Sequence, residues 1–438
     1  MTPAHSATFR IGAVDLNGQL RGKRLPSAHL GKLKKGGARL PLSALNLDMW
    51  GCDIEDSPLV FESGDQDGVL LPTCRGAVPM PWLATASQLV LMCLNTEDGA
   101  PFLGDPIQAL AAVLDRFAQR GWSVVAATEM EFTLVDDSGD AITPPRHPRD
   151  GRQVEAAEIL SVAELDAFDA FFTDIYDGAA AMGIPLQTMT SEGGIGQFEV
   201  TLNHQDAMKA AHDALLIKYL LRATARNHGF AATFMAKPYL EDAGNGMHVH
   251  FSVVDADGNN VFDDGTEAGS DLLRSAVAGC LAAMQASTLI FAPNGPSYDR
   301  FAPGAHAPTS ICWGYENRTA AIRIPGGPSA ARRIEHRVAG GDVNPYLMLA
   351  AILGAAIEGI DEGLKPPAPA KGSAYEQDHP QLAHSWEEAI ALFEADAFIA
   401  RCLPKQLIDN LIMTKRQEMR KLAAIAPEAQ WKTYLERV

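Results

Sequence analysis

The stretch Thr128–Val135, reading Thr-Glu-Met-Glu-Phe-Thr-Leu-Val, constrains the fold most. Met130, Phe132 and Leu134 alternate strictly with Glu129, Glu131 and Thr133. That is the period of a β-strand with one face in an apolar core. The other face carries two carboxylates, about 6.5–7 Å apart along the strand. Anions this close raise each other's pKa unless a cation sits between them, so the pattern asks for metal.

Other segments repeat the construction. Ile195–Leu202 sets Phe198, Val200 and Leu202 against Gln197, Glu199 and Thr201, with Glu192 just upstream of Gly193-Gly194. Met247–Val253 sets Met247, Val249, Phe251 and Val253 against His248, His250 and Ser252. Arg332–Val338 places Arg333, Glu335 and Arg337 on one face, and Ala320–Ile324 puts Arg323 between isoleucines. Arg300 and Arg318 flank a loop rich in Pro and Gly. Strands of this kind assemble into a sheet with one dry side and one ionic side. Five carboxylates and a histidine suit two or more hard divalent cations, Mg²⁺ or Mn²⁺. The arginines suit phosphate or carboxylate anions. Metals and arginines around one pocket are the hardware of phosphoryl transfer.

Composition narrows the alternatives. A net charge of −18 with no long basic run argues against nucleic acid and anionic membrane as partners. The six cysteines form no C-x-x-C pair and read as reduced thiols; Cys312, between apolar neighbours, reads as structural. No apolar run reaches membrane length and no signal pattern opens the chain, so the expectation is a cytoplasmic protein. There is no phosphate-binding P-loop, and Gly194-x-Gly196 lacks the third glycine of a dinucleotide fingerprint.

In chain order, residues 1–8 read as frayed, Thr8–Asp15 and Leu20–Leu25 as a hairpin about Asn17-Gly18, His29–Leu40 as a short helix, and Leu42–Met49 as a strand. Asp53–Gly68 reads as a loop, and Val69–Pro72 and Gln88–Leu94 as strands. This strand-rich unit ends near residue 104, where Asp105-Pro106 caps a helix to Arg120. Beyond the acidic strand, helices are predicted over Val162–Met182, Gln205–His228, Ser270–Ser287 and Asn344–Ile360, with a helical tail. The fold class is α+β, in two domains, 1–104 and 105–438.

Six ordered motifs then resemble the glutamine synthetase family. They are Glu129-Met-Glu131-Phe, Glu192-Gly-Gly-Ile-Gly-Gln-Phe-Glu199, Gly244-Asn-Gly-Met-His248-Val-His250, Ser297-Tyr-Asp-Arg300-Phe-Ala-Pro-Gly304, Asn317-Arg318 through Arg323-Ile-Pro325, and Arg332-Arg333-Ile-Glu335-His-Arg337 with Asn344-Pro-Tyr-Leu347. The resemblance implies an N-terminal β-grasp domain and a catalytic domain built on a curved antiparallel sheet flanked by helices. It implies a homododecamer of two hexameric rings, with sites shared between subunits. It implies ATP and two or three Mg²⁺ or Mn²⁺ ions per site. Glu131, Glu192 and Glu199 resemble the ligands of one ion, and Glu129, His248 and Glu335 those of a second. Arg323, Arg333, His250 and Ser252 resemble the nucleotide side. Arg300, Arg337 and Gly244 resemble the glutamate site, and Arg318 and Glu192 the catalytic groups. The implied chemistry phosphorylates the γ-carboxylate of glutamate, and an amine then attacks the acyl phosphate.

Departures from the family pattern sharpen the expectation. Where ammonia users carry a glutamate in a Gly-Tyr-Glu-Ala-Pro run, this chain reads Gly304-Ala-His306-Ala-Pro308. The Phe-Asp-Gly-Ser-Ser stretch of an ammonium site is absent, and Leu47-Asp48-Met49-Trp50-Gly51 stands nearby. Residue 243 is alanine where the family has an asparagine. The regulatory tyrosine is missing before Leu364-Lys365-Pro366-Pro367, against control by adenylylation. Losing the acidic clamp disfavours a small cation; Trp50 is expected to line an amine pocket and His306 to accept the amine's proton. With Val338-Ala-Gly-Gly-Asp342, the chain resembles the γ-glutamylpolyamine or γ-glutamylalkylamide synthetase branch, acting on a primary amine such as putrescine. The alternatives are an ordinary glutamine synthetase and an inactive scaffold of the same fold.

Overall fold

The hub of the molecule is the strand Ser123–Val135, which pairs with four others. The computed structural model describes residues 8–33, 36–301 and 307–438. The architecture is a two-domain α+β fold, with a smaller N-terminal sheet and a larger helix-flanked sheet.

The N-terminal sheet has five strands in the order Leu20–Pro26, Thr8–Val14, Gln88–Asn95, Asp67–Pro79, Ala38–Pro41. Its first two strands form the expected hairpin, and Gly18 takes the positive φ (77°) that the tight turn requires. Thr8–Val14 then runs parallel to Gln88–Asn95, which brings the two ends of the domain together. Phe9, Ile11, Leu70, Met92 and Leu94 fill its core.

In the larger sheet, Ser123–Val135 lies between Met247–Val254 and Gln197–Leu202, both antiparallel to it. Ile334–His336 and Ile322–Ile324 extend the sheet on one side and Leu186–Ser191 on the other. Met130, Phe132, Leu134, Phe198, Val200, Met247, Val249 and Phe251 are buried on the apolar face, as the alternation predicts. Helices Pro106–Ala118, Ala207–Asn227, Asp271–Met284 and Pro345–Asp361 supply the rest of that core. Sixteen of the seventeen residues of Pro345–Asp361 are buried, the signature of a helix enclosed on all sides. Asp105 caps the first of these helices by accepting a bond from the Ile107 amide (2.8 Å), a device worth ~1 kcal/mol.

Several elements differ from expectation. Leu42–Leu45 is a 3₁₀ turn, not a strand: Leu42 and Leu45 point into the small core, and the pairing edge is already taken by Ala38–Pro41. In the 29–40 segment only Leu30–Leu33 is α-helical; Lys34 and Lys35 lie outside the described residues, as do 1–7 of the expected frayed end. The 53–68 segment contains a short helix, Pro58–Phe61. The helix expected over 162–182 is two, Val162–Ala167 and Asp169–Met182. Phe168 breaks it because its fully buried ring packs edge-on against Phe172, Phe198 and Phe230. Arg332–Val338 pairs over only Ile334–His336, and Ala320–Ile324 over Ile322–Ile324.

The domains share one apolar cluster, to which Val14, Leu16, Met49, Leu89 and Leu91 contribute from the N-terminal side. A buried ion pair, Lys415–Glu418, reaches across: Lys415 donates to Asn17 Oδ1 (2.6 Å) and Glu418 accepts from Asn17 Nδ2 (2.6 Å). All six cysteines are free, and Cys312 is buried. Among the described residues no helix is long and apolar enough to cross a membrane.

Candidate active site

Cross-strand register assembles the ionic face. Glu129 stands opposite His248, Glu131 opposite Glu199, and Glu335 between His250 and Arg323. Two carboxylates directly opposed, as Glu131 and Glu199 are, destabilise a sheet unless a cation compensates. Glu192 follows the strand Leu186–Ser191, fixed through its amide to Gln197 O (2.9 Å) and its carboxylate to Thr190 Oγ1 (3.3 Å).

Among the described residues, two triads have ligand atoms mutually within 4.8 Å: Glu129, Glu199 and His248, and Glu129, His250 and Glu335. The distances thus make Glu129 common to both groups and bring His250 beside Glu335. Glu131 and Glu192 belong to neither triad, yet their charges are felt there. Burial, then the charges of Glu129, Glu131 and Glu192, push Glu199 up to about 8. Burial and Glu131 push Glu192 up to about 7. Glu129 is the reverse case: burial works against its charge, but bonds from His248 Nδ1 (3.3 Å) and His250 Nε2 (3.0 Å) outweigh it and hold the pKa low. Carboxylates whose pKa values are raised by burial and then by mutual repulsion, beside two imidazoles, form a donor set that fits divalent metal.

The guanidinium groups ring this wall. Glu335 is 1 % exposed and accepts from Arg323 (2.8 Å) on one oxygen and from Arg337 on the other. Arg323 also reaches Glu316 (3.2 Å), a residue the sequence reading passed over. The buried Nε–H groups of Arg323 and Arg337 have no acceptor among the described residues, which suits a site that receives anions. Arg333 Nε donates to His250 Nδ1 (3.3 Å), so His250 carries its proton on Nε2, toward Glu129. Ser252, next on that face, bonds Arg332 O (3.1 Å). Arg318 is exposed, and its charge favours the ionised form of Glu192.

Arg300 is 4 % exposed and meets the metal wall at the glycines of Gly244-Asn-Gly246. A Cβ on Gly246 would lie 2.7 Å from Arg300 Nη2, 3.2 Å from Glu131 Oε2 and 3.4 Å from His248 Nε2. One on Gly244 would lie 2.4 Å from Ala236 O and 3.0 Å from Arg300 Cγ. Only glycine leaves room for these groups to converge. Asn245, fully buried between the two, accepts from Thr133 (3.1 Å) and Gln197 (3.0 Å) and anchors the turn.

His306 is outside the described residues. Trp50 is half-buried, with Lys421 Nζ 5.8 Å from its ring centre. Asp48 is 0 % exposed and saturated within its own chain. It accepts from the amides of Trp50 (3.0 Å) and Cys52 (2.9 Å), from Gln417 (2.9 Å) and from Lys421. It has no free oxygen with which to stand in for an ammonium-binding carboxylate.

The sequence profile described as "Glutamine synthetase, catalytic domain" matches residues 103–434. The chain belongs to the glutamine synthetase family. It is 36 % identical over 420 residues to the γ-glutamylputrescine synthetase PuuA of Escherichia coli K12, covering 95 % of this chain and 89 % of that one. It is 31 % identical over 441 residues to a glutamate–isopropylamine ligase from a Pseudomonas species, covering 98 % and 95 %. A solved GmaS/ADP complex superposes with a TM-score of 0.84 at 28 % identity, over 98 % of this chain and 96 % of that one. Within the glutamine synthetase family, the chain is thus closely related to γ-glutamyl-amine synthetases.

Proposed function

We propose that the protein is an ATP-dependent glutamate–amine ligase that joins the γ-carboxylate of glutamate to a primary amine. The observation carrying this reading is the ionic face itself: five carboxylates and two imidazoles beside a ring of arginines with unsatisfied buried donors. Similarity to ligases for putrescine and isopropylamine along nearly the whole chain supports the amine as second substrate.

Glu129, Glu131, Glu192, Glu199, His248 and Glu335 would hold divalent ions, Mg²⁺ or Mn²⁺, which would supply charge neutralisation for a transferring phosphoryl group. Arg323, Arg333, His250 and Ser252 bind the nucleotide. Arg300, with Gly244 beside it, takes the α-carboxylate of glutamate, and Arg337 orients the γ-carboxylate. A γ-carboxylate oxygen attacks the terminal phosphorus of ATP, and the bond to ADP breaks; Arg318 stabilises the charge on the transferring group. The amine nitrogen then attacks the acyl carbon, and phosphate leaves with the former carboxylate oxygen. His306 accepts the proton that the amine sheds. Trp50 contributes to the amine pocket of a neighbouring subunit in a dodecamer of two rings.

The test is phosphate release with ATP, glutamate and a panel of ammonium, methylamine, isopropylamine, ethanolamine, putrescine and spermidine. Turnover requires glutamate and is faster with at least one primary amine than with ammonium. Highest turnover with ammonium restores an ordinary glutamine synthetase, and none with any amine restores a scaffold.

A further inference from the structure

The segment Val338-Ala-Gly-Gly-Asp342 belongs to neither the metal wall nor the arginine ring, yet one end touches the Arg300 side chain and the other holds the turn that carries it. At the tip, Arg300 Nη1 donates to Val338 O (2.7 Å). At the base, the buried Asp342 carboxylate (5 % exposed) accepts from Asn294 Nδ2 (2.8 Å) and Ser297 Oγ (2.5 Å). Asn294 and Ser297 also bond each other through the backbone (3.0 Å) and through the Ser297 hydroxyl (3.1 Å). They open the 3₁₀ turn Gly295–Phe301, which carries Arg300.

The segment itself is fixed. Met247 N donates to Ala339 O (2.8 Å), Gly340 N to Phe291 O (2.9 Å) and Gly341 N to Asn245 O (2.8 Å). A Cβ on Gly340 would stand 2.6 Å from Asp342 Oδ1, and one on Gly341 3.0 Å from Phe234 O and 3.1 Å from Glu131 O. The glycines therefore let the segment lie flat against the metal-bearing strand and let Asp342 turn back to the Arg300 turn. Burial works against the charge of Arg300; Glu131 and Asp342 favour it, and Arg337 opposes it.

We propose that Asp342 is a positioning residue for substrate binding, setting the height and aim of the Arg300 guanidinium through Ser297 and Asn294. The inference rests on the reading of Arg300 as the clamp for the α-carboxylate of the acid substrate. A bond at the tip alone leaves the side chain free to pivot about Val338 O. The carboxylate at the base fixes the turn from which the side chain springs, so the guanidinium is held at both its tip and its root before substrate arrives, the condition for tight binding by a buried guanidinium. A role in stability alone lowers the melting temperature and leaves the balance among Michaelis constants unchanged.

The experiment measures KM for glutamate, KM for ATP and kcat in Asp342→Asn, Ser297→Ala, Asp342→Glu and Arg300→Lys. Asp342→Asn is expected to raise KM for glutamate about tenfold, with KM for ATP within about twofold of the parent. Ser297→Ala, a small and neutral change, is expected to raise KM for glutamate by about threefold, and it carries the test if Asp342→Asn does not fold. Asp342→Glu keeps the charge and partly restores glutamate affinity. If Arg300→Lys raises KM for glutamate while the Asp342 and Ser297 variants alter only thermal stability, the positioning role is overturned. If Arg300→Lys itself leaves glutamate affinity unchanged, the assignment of Arg300 fails, and this inference with it.

Discussion

Metal binding to this wall should release protons, and the structure gives the pH range over which it does. The chain without metal holds Glu192 with a pKa of about 7 and Glu199 of about 8, both raised by burial and by neighbouring carboxylates. At pH 7 the pair then carries on the order of one to two protons, shared across a coupled set. Ligation requires carboxylates, so these protons leave. Release falls toward zero at pH 9 and approaches about two near pH 5.5. The sign for stability follows. These groups have folded values above their unfolded ones, so their contribution is fully present below about pH 4.5 and is lost as pH rises through 7 to 8. The chelator-stripped protein should therefore melt at progressively lower temperature from pH 6 to 8.5, and saturating Mn²⁺ should flatten the trend. Isothermal calorimetry in buffers of different ionisation enthalpy counts the protons. Release near zero at pH 7, or the same release at pH 7 and 9, would refute the electrostatic argument.

Two further perturbations follow. Glu199→Gln removes one of two directly opposed carboxylates. It should raise the melting temperature of the stripped protein while lowering Mn²⁺ affinity by at least about tenfold, read by calorimetry, since a neutral amide avoids the cost of burying or protonating the carboxylate and cannot replace the ligand charge. Asp48→Ala leaves Lys421, Gln417 and two amides without their acceptor. It should cost about 3 kcal/mol in denaturant unfolding. A normal melting curve with a large rise in KM for the amine would contradict the structural role assigned to this carboxylate.

Where period-2 alternation ran for six residues or more, the sequence was explicit. Ser123–Val135, Gln197–Leu202 and Met247–Val254 formed with the expected faces, because misregister by one residue would bury the glutamates. Short pairings were less legible. Leu42–Leu45 has strand composition but sits where the sheet already has its edge, and Phe168 breaks a helical pattern because the aromatic cluster claims its ring. The site residues could be read as types on a face; which groups approach one another could not. That Glu129 bridges both triads depends on strand order, which pairs His248 with Glu129 and His250 with Glu335. Asp48 had the right chemistry for a cation, and its second oxygen is taken by partners some 370 residues further along the chain. Asp342 had no local signal beyond the two glycines before it.

The account stands on activation of the γ-carboxylate as an acyl phosphate on the ionic face. Turnover with glutamate labelled with ¹⁸O in the γ-carboxylate, ATP and a competent amine tests this directly by mass spectrometry of the phosphate released. One labelled oxygen per phosphate is the expected result. Unlabelled phosphate formed alongside the amide product would mean that the carboxylate is never phosphorylated, and the ligase mechanism proposed for this site would fall.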